Sequence, residues 1–207
     1  MKKCAILFSA LLTIVVSSCE KEPNTGKLDN NYLVYTNYDA DTDFKAIDEF
    51  YIIDSILIIN DSAKPTYWNN DNSQRIVNEF SQKLQDAGYT EVTGSDIADV
   101  VLQLSYVSNT YYFNDYGGGP WWNSYPGYWN WGGWGWYYPY SFIYSYSTGS
   151  IIGELVSTTP SAVAKDKLPV IWNVYICGLL NGNTLSLSRT MEAINQAFIQ
   201  SPYLSKQ

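Results

Sequence analysis

Between Tyr111 and Tyr146, 18 of 36 residues are Trp, Tyr or Phe, and no charged residue occurs from Tyr116 to Gly153. Six of the eight tryptophans lie between Trp121 and Trp136. The chain on either side carries helix caps, periodic apolar faces and enough length for a core, so a domain must be built from those flanks. The aromatic, glycine-rich run, at about 108–141, is then a long insertion. Connections of that length inside a compact domain are uncommon and are usually functional or disordered. Its composition is the reverse of a solvated disordered chain, which is charged and poor in aromatics. Tyr and Trp join a large apolar face to a polar tip, the equipment of protein hot spots, sugar-stacking platforms and membrane interfaces. Trp121, Trp122, Tyr125, Tyr128, Trp129, Trp131, Trp134, Trp136, Tyr137 and Tyr138 form the candidate binding surface. Three uses stay open at this point: covering an open sheet face or edge, binding a partner protein or glycan, and lying in a membrane interface.

The flanks read as strands and two helices. Tyr32 to Tyr38 is strand-like, and Phe50–Ile53 with Ile56–Ile59 is β-branched and aromatic enough for one or two more strands. Asp61 to Asn72 is a turn-rich loop. A helix follows, capped by Asp71 with Gln74 or by Ser73 alone and closed by Gly88, with Ile76, Val77, Phe80, Leu84 and Ala87 on one face. Ala98 to Val107 is the clearest strand, with Ala98, Val100, Leu102, Leu104 and Tyr106 on one face and a mixed second face. Phe142–Tyr146 and Ile151–Val156 form one interrupted strand or a hairpin around Thr148-Gly149-Ser150. A loop from Ser157 to Lys167 leads to a strand near 169–178. Ser186 or Ser188 caps a last helix whose apolar side is Leu187, Met191, Ile194, Ala197 and Phe198, with Pro202 beyond its end. Without regular βαβ alternation this is an α+β fold: a mixed or antiparallel sheet with two helices packed on one face.

The N-terminus carries an address. Lys2 and Lys3 precede an apolar run from Ala5 to Val16, and Val16-Ser17-Ser18-Cys19 is a lipobox-like ending. The run is about twelve residues, whereas a spanning helix needs about twenty. The expectation is a signal peptide over 1–18, lipidation of Cys19, a flexible tether over 19–31 and a single domain over 32–207, lipid-anchored in the cell envelope; the alternative is plain secretory cleavage after Ser18. Glu20 to Asn31 is polar and reaches up to about 40 Å. Loss of Lys2 and Lys3 moves the formal charge from −8 to −10, because all twenty acidic residues stay. Nucleic acid is therefore not an expected partner, since binding it needs a basic patch. Cys4 leaves with the signal and Cys19 takes lipid, so Cys177 remains alone and no intrachain disulfide forms.

The chain contains no histidine. That removes Ser-His-Asp and Cys-His catalysis, His-containing zinc sites and the commonest general base near neutral pH. Asp39-Ala-Asp41-Thr-Asp43 imitates the start of a calcium loop, but Phe44 stands where the turn needs glycine and Phe50 where the bidentate glutamate belongs. A polar turn is the expected reading. Paired carboxylates, as in glycoside hydrolysis, survive the loss of histidine; Asp96 or Asp99 with Glu154 would be such a pair only if the fold brought them together. No catalytic residue, metal or cofactor is expected. The domain reads as a non-enzymatic binding or structural module, with a surface carbohydrate-binding protein and a carboxylate-based glycosidase as rivals.

Five stretches carry a resemblance: Tyr35-Thr-Asn-Tyr-Asp39 leading to Asp43-Phe44; Ala87-Gly88-Tyr89; Ala98-Asp99-Val-Val; Gly149 to Leu155 ahead of Val170-Ile-Trp172; and Gln200-Ser-Pro-Tyr-Leu204. From about Tyr32 to Leu204 they resemble the domain of unknown function 4136 family, in its Bacteroidetes-type lipoprotein form. That resemblance implies the outer membrane and brings no catalytic residues. The expected contacts are thus the membrane through the lipid anchor and an envelope protein or glycan through the aromatic surface.

Overall fold

The computed structural model describes residues 32–60, 66–95, 97–108, 111–114, 135–139, 143–159, 167–182 and 184–206. Upstream of the aromatic run lie β1 (Leu33–Tyr38), β2 (Glu49–Ile52), β3 (Ile56–Ile59), β4 (Thr66–Trp68), α1 (Asp71–Ala87), β5 (Thr90–Glu91) and β6 (Val100–Val107). Within and beyond the run come β7 (Tyr111–Asn114), β8 (Gly135–Tyr137), β9 (Ile143–Tyr146), β10 (Ser150–Ser157), β11 (Lys167–Cys177), β12 (Leu180–Asn181), β13 (Thr184–Leu185) and α2 (Leu187–Ile199). One open mixed sheet runs β1-β11-β10-β6-β2-β5. β10 is antiparallel to both β6 and β11, while β2 and β3 run parallel to β6 on its other side. The fold is α+β, as the patterning predicts.

Both helices cover one face. The even positions of β6, Val100, Leu102 and Leu104, join Ile151 and Leu155 of β10, Trp172, Val174 and Ile176 of β11, and Phe50 and Ile52 of β2. Ile76, Val77, Phe80 and Leu84 descend on them from α1, and Ala193, Ile194 and Ala197 from α2. The periodic stripe of each helix is what this face needs, because burying apolar area at roughly 25 cal/mol per Å² supplies most of the driving force. Trp172 sits at the centre, fully buried, its ring 5.6 Å from Phe198 and its Nε1–H donating to Ser201 Oγ at 3.0 Å. The C-terminal segment closes the same core: Lys206 N–H donates to Ala87 O at 2.9 Å, which satisfies a carbonyl left over at the end of α1. Among the described residues no helix is long and apolar enough to cross a membrane.

Several local expectations are corrected. The cap of α1 is Asn70, not Asp71 or Ser73. Its Oδ1 accepts the N–H groups of Asn72 and Ser73 at 3.0 and 3.1 Å, and Ser73 Oγ accepts the Asn70 N–H at 2.8 Å. Asn70 wins because its extended backbone and the Trp68 Nε1–H bond to the same Oδ1, at 2.8 Å, hold the side chain in place. Gly88 does close α1, at φ 106°, a left-handed conformation that glycine adopts without penalty. The turn-rich loop contains β4, antiparallel to β3. Residues 143–157 are neither one strand nor a hairpin but two strands in different sheets: β9 pairs with β7, and β10 with β6 and β11.

Gly153 tests this packing. A Cβ there would lie 2.9 Å from Val174 Cγ1, 3.3 Å from Leu104 Cδ2 and 3.5 Å from Phe80 Cε1. Gly153→Ala is expected to destabilise the domain by about 1–3 kcal/mol, the usual cost of overpacking, read as a lower denaturation midpoint with an unchanged slope.

Candidate functional site

The second face of the sheet, away from the helices, is also buried at its centre, and there it is polar. Alternation along β10 sends Ile151, Gly153 and Leu155 to the helices and Ser150, Ile152, Glu154 and Val156 to the other side. Register puts Glu154 directly opposite Gln103 of β6 and Asn173 of β11. The result is a row of three polar side chains across the three central strands, each exposed by 2 % or less. One register step away, Ile152 lies between Ser105 and Tyr175. Tyr138, directly after β8, donates its phenolic hydrogen to Glu154 Oε1.

Burial pushes Glu154 up to about 8, and the hydrogen bond from Tyr138 offsets part of that rise. No lysine or arginine pairs with this carboxyl among the described residues. At neutral pH it is mostly a protonated acid, able to donate as well as accept. A second set of hydroxyls ties down the return limb of the insertion. Tyr175 OH accepts the Ser147 N–H at 2.9 Å and the Ser150 hydroxyl at 3.0 Å, and lies 3.1 Å from Ser147 Oγ. β8 meanwhile pairs in parallel with Lys167–Pro169 of β11. The returning limb of the run is therefore tied to the sheet through β8, Tyr138 and Ser147, and the outgoing limb pairs with it in the separate β7–β9 ladder.

Cys19, Trp121, Trp122, Tyr125, Tyr128, Trp129, Trp131 and Trp134 lie outside the described residues. Trp136 and Tyr137 lie in β8, and Tyr138 is half-buried against Glu154. Asp39 and Asp43 act as turn formers: Asp39 accepts the Asp41 N–H and the Thr42 hydroxyl, each at 3.1 Å, and Asp43 accepts the Lys45 N–H at 3.1 Å. Among the described residues no three Asp, Glu or Cys side chains gather as a cation site. Asp99 is spent on the frame, its Oδ2 accepting the Asp48 and Glu49 N–H groups at 2.9 and 3.0 Å. It stands four residues along the chain from Gln103, the partner of Glu154, or roughly 13 Å at the rise of a strand. With Asp99 committed to the backbone N–H groups of Asp48 and Glu49, it is not set facing Glu154 as a glycosidase pair would be; Asp96 is outside the described residues. Between α1 and α2 a shallow depression of about 370 Å³ is lined by Arg75, Asn78, Glu79, Gln82 and Met191, on the helical layer and without a titratable cluster.

Sequence reasoning missed the row Gln103–Glu154–Asn173 as a unit. The available signals were the mixed second face of β6 and a lone carboxylate in the apolar run Ile151-Ile-Gly-Glu-Leu-Val156. Because the folded acid titrates near 8 and the unfolded one near 4.5, the folded state holds the extra proton between those values. Stability should then fall as pH rises from about 4.5 to about 8. Glu154→Gln keeps the shape and the acceptor for Tyr138 and removes the titration. It is expected to be more stable than the wild type at pH 9 by on the order of a few kcal/mol, and to show a flat profile where the wild type declines.

The chain matches the domain of unknown function DUF4136 over residues 34–203. A crystal structure of a DUF4136 family protein from Bacteroides thetaiotaomicron VPI-5482 is 42% identical, with a TM-score of 0.75, over 86% of this chain and 100% of that one. A PelC dodecamer from Paraburkholderia phytofirmans aligns at 12% identity and a TM-score of 0.41, over 85% of this chain and 99% of that one. No curated protein matches the chain. With a match over most of its length and a relative at 42% identity, the chain belongs to the DUF4136 family.

Proposed function

We propose that this chain is a lipid-anchored protein of the bacterial cell envelope, held at the outer membrane through Cys19, whose α+β domain works without catalysis as a binding or structural module. The observation that carries the reading is where the aromatic run is inserted. It joins β6 to β10, the adjacent central strands of the sheet, and its return limb is tied to them by Tyr138–Glu154 and Ser147–Tyr175. An aromatic segment anchored this way is offered from a rigid base, which lowers the ordering cost of binding. Its residues suit an envelope protein or a glycan, and the chain's charge of −8 argues against nucleic acid. The carbohydrate-binding reading is the second one, favoured by Trp and Tyr as stacking surfaces; the glycosidase reading loses support from the role of Asp99 in the frame.

Two measurements test the proposal. Cys19→Ala is expected to move the protein out of the membrane fraction or block its maturation, because several acyl chains anchor stably where one binds only marginally. An unchanged membrane pool in the variant, with no fatty-acid label on the wild type, would overturn the anchor. Replacing residues 115–134 by a short Gly/Ser linker, which spares β7, β8 and Tyr138, is expected to keep a cooperative melt and to abolish capture of envelope proteins and glycans. Capture retained in full would place the binding surface elsewhere.

A further inference from the structure

β1 forms one edge of the sheet, and its hydrogen-bonding pattern can be followed residue by residue. Asp39 N–H donates to Ile171 O at 2.9 Å, and the register sets Asn37 opposite Asn173, Tyr35 opposite Tyr175 and Leu33 opposite Cys177. In an antiparallel ladder the bonded pairs alternate. The backbone groups of Leu33, Tyr35 and Asn37 therefore point to β11, and those of Val34, Thr36 and Tyr38 point outward. The outward Tyr38 N–H is taken by Asn37 Oδ1 at 2.9 Å. Among the described residues, Val34 and Thr36 are left as two outward bonding positions two residues apart. Natural edge strands are commonly protected by lysine, proline or a bulge. Leu33-Val-Tyr-Thr-Asn-Tyr38 has no charge and no proline, and its pairing with β11 runs without a register shift.

We infer that β1 pairs antiparallel with β1 of a second copy of this chain, with the two-fold axis at Tyr35. This register sets Val34 against Thr36 of the second copy and Thr36 against its Val34, so both outward positions bond in each chain without drawing on the occupied Tyr38 N–H. Tyr35 then faces its own copy as a non-hydrogen-bonded pair, the closer of the two antiparallel spacings, and Leu33 faces Asn37. Leu33 is 61% and Tyr35 42% exposed in one chain, so both have area to lose. Aromatic cross-strand pairs are favourable, and a neutral strand meets its copy without like-charge repulsion. A six-residue strand pair is smaller than the roughly 1,200 Å² of a stable free interface. The pairing is therefore weak between free chains and strengthened where both are confined to one membrane, a point that rests on the anchoring proposed above.

Disulfide trapping in membranes holding the full chain tests the register. A non-hydrogen-bonded pair has its Cα atoms about 4.5 Å apart, within the range of a disulfide. In a Cys177→Ser background, Tyr35→Cys is expected to give a covalent dimer on mild oxidation. Leu33→Cys and Asn37→Cys should each fail alone and cross-link when co-expressed. Adding Thr36→Pro, which removes an outward donor but no bond to β11, should abolish the Tyr35→Cys dimer. A Tyr35→Cys dimer no stronger than that of the turn control Asp41→Cys overturns the inference, as does a cross-link to a different protein. If Thr36→Pro fails to fold, the paired behaviour of Leu33→Cys and Asn37→Cys still decides the register. Recovery of the dimer from a soluble fraction supports the pairing while refuting the anchor, so the two readings fail separately.

Discussion

The pairing of β6 with β10 is the constraint on which the rest depends. Val107 lies opposite Ser150, and the chain between them, residues 108–149, contains the whole aromatic run. Loop-closure entropy rises only by about 0.6 kcal/mol for each doubling of loop length, so joining neighbouring strands through so long an excursion costs little more than through a short one. The ladder it closes spans Ser150–Ser157 against Val100–Val107, and every described residue of both strands except Tyr106 is buried. That two-sided burial fixes the register, because a slip of one residue would drive Glu154 into the helical core and Leu155 into the polar row.

The two faces of these strands carry different chemistry. Towards the helices the sheet is apolar and tightly filled, with Gly153 as the one position where Phe80, Val174 and Leu104 converge. On the far side, Gln103, Glu154 and Asn173 form a polar row that must find its hydrogen bonds within the protein. Gln103 donates to Leu104 O, and Glu154 accepts from Tyr138. A buried polar row of this kind specifies pairing more than it adds stability. It also couples the sheet to the insertion, since Tyr138 belongs to the returning limb.

This coupling is why the functional reading rests on the insertion. The acidic residues that could have suggested chemistry are occupied elsewhere: Asp99 joins β6 to β2, Asp43 caps the short helix Phe44–Ala46, and Asp39 closes the turn before it. Glu91 accepts from Ser81 at 2.6 Å and Gln85 at 3.0 Å, bracing the end of α1. What remains is an aromatic run whose returning limb is tied to the sheet, and an uncharged sheet edge, on which the proposals of association rest.

The sequence by itself determined the local elements. The stripe from Ile76 to Ala87, the stop at Gly88, the alternation of Val100, Leu102 and Leu104, and the aromatic run as an insertion all follow from periods and turn residues close together in the chain. It also carried the family resemblance through short motifs that cap, turn and close the core. Only the tertiary structure decided which strands meet. That β9 joins β7 and not β10, and that Glu154 lies between Gln103 and Asn173, depend on pairings between residues up to some fifty positions apart. Local propensity is silent on such pairings, because a strand's alternation says which residues share a face and not which strand lies beside it. The protonated state of Glu154 is likewise a product of burial, which exists only once three strands and Tyr138 have assembled around it.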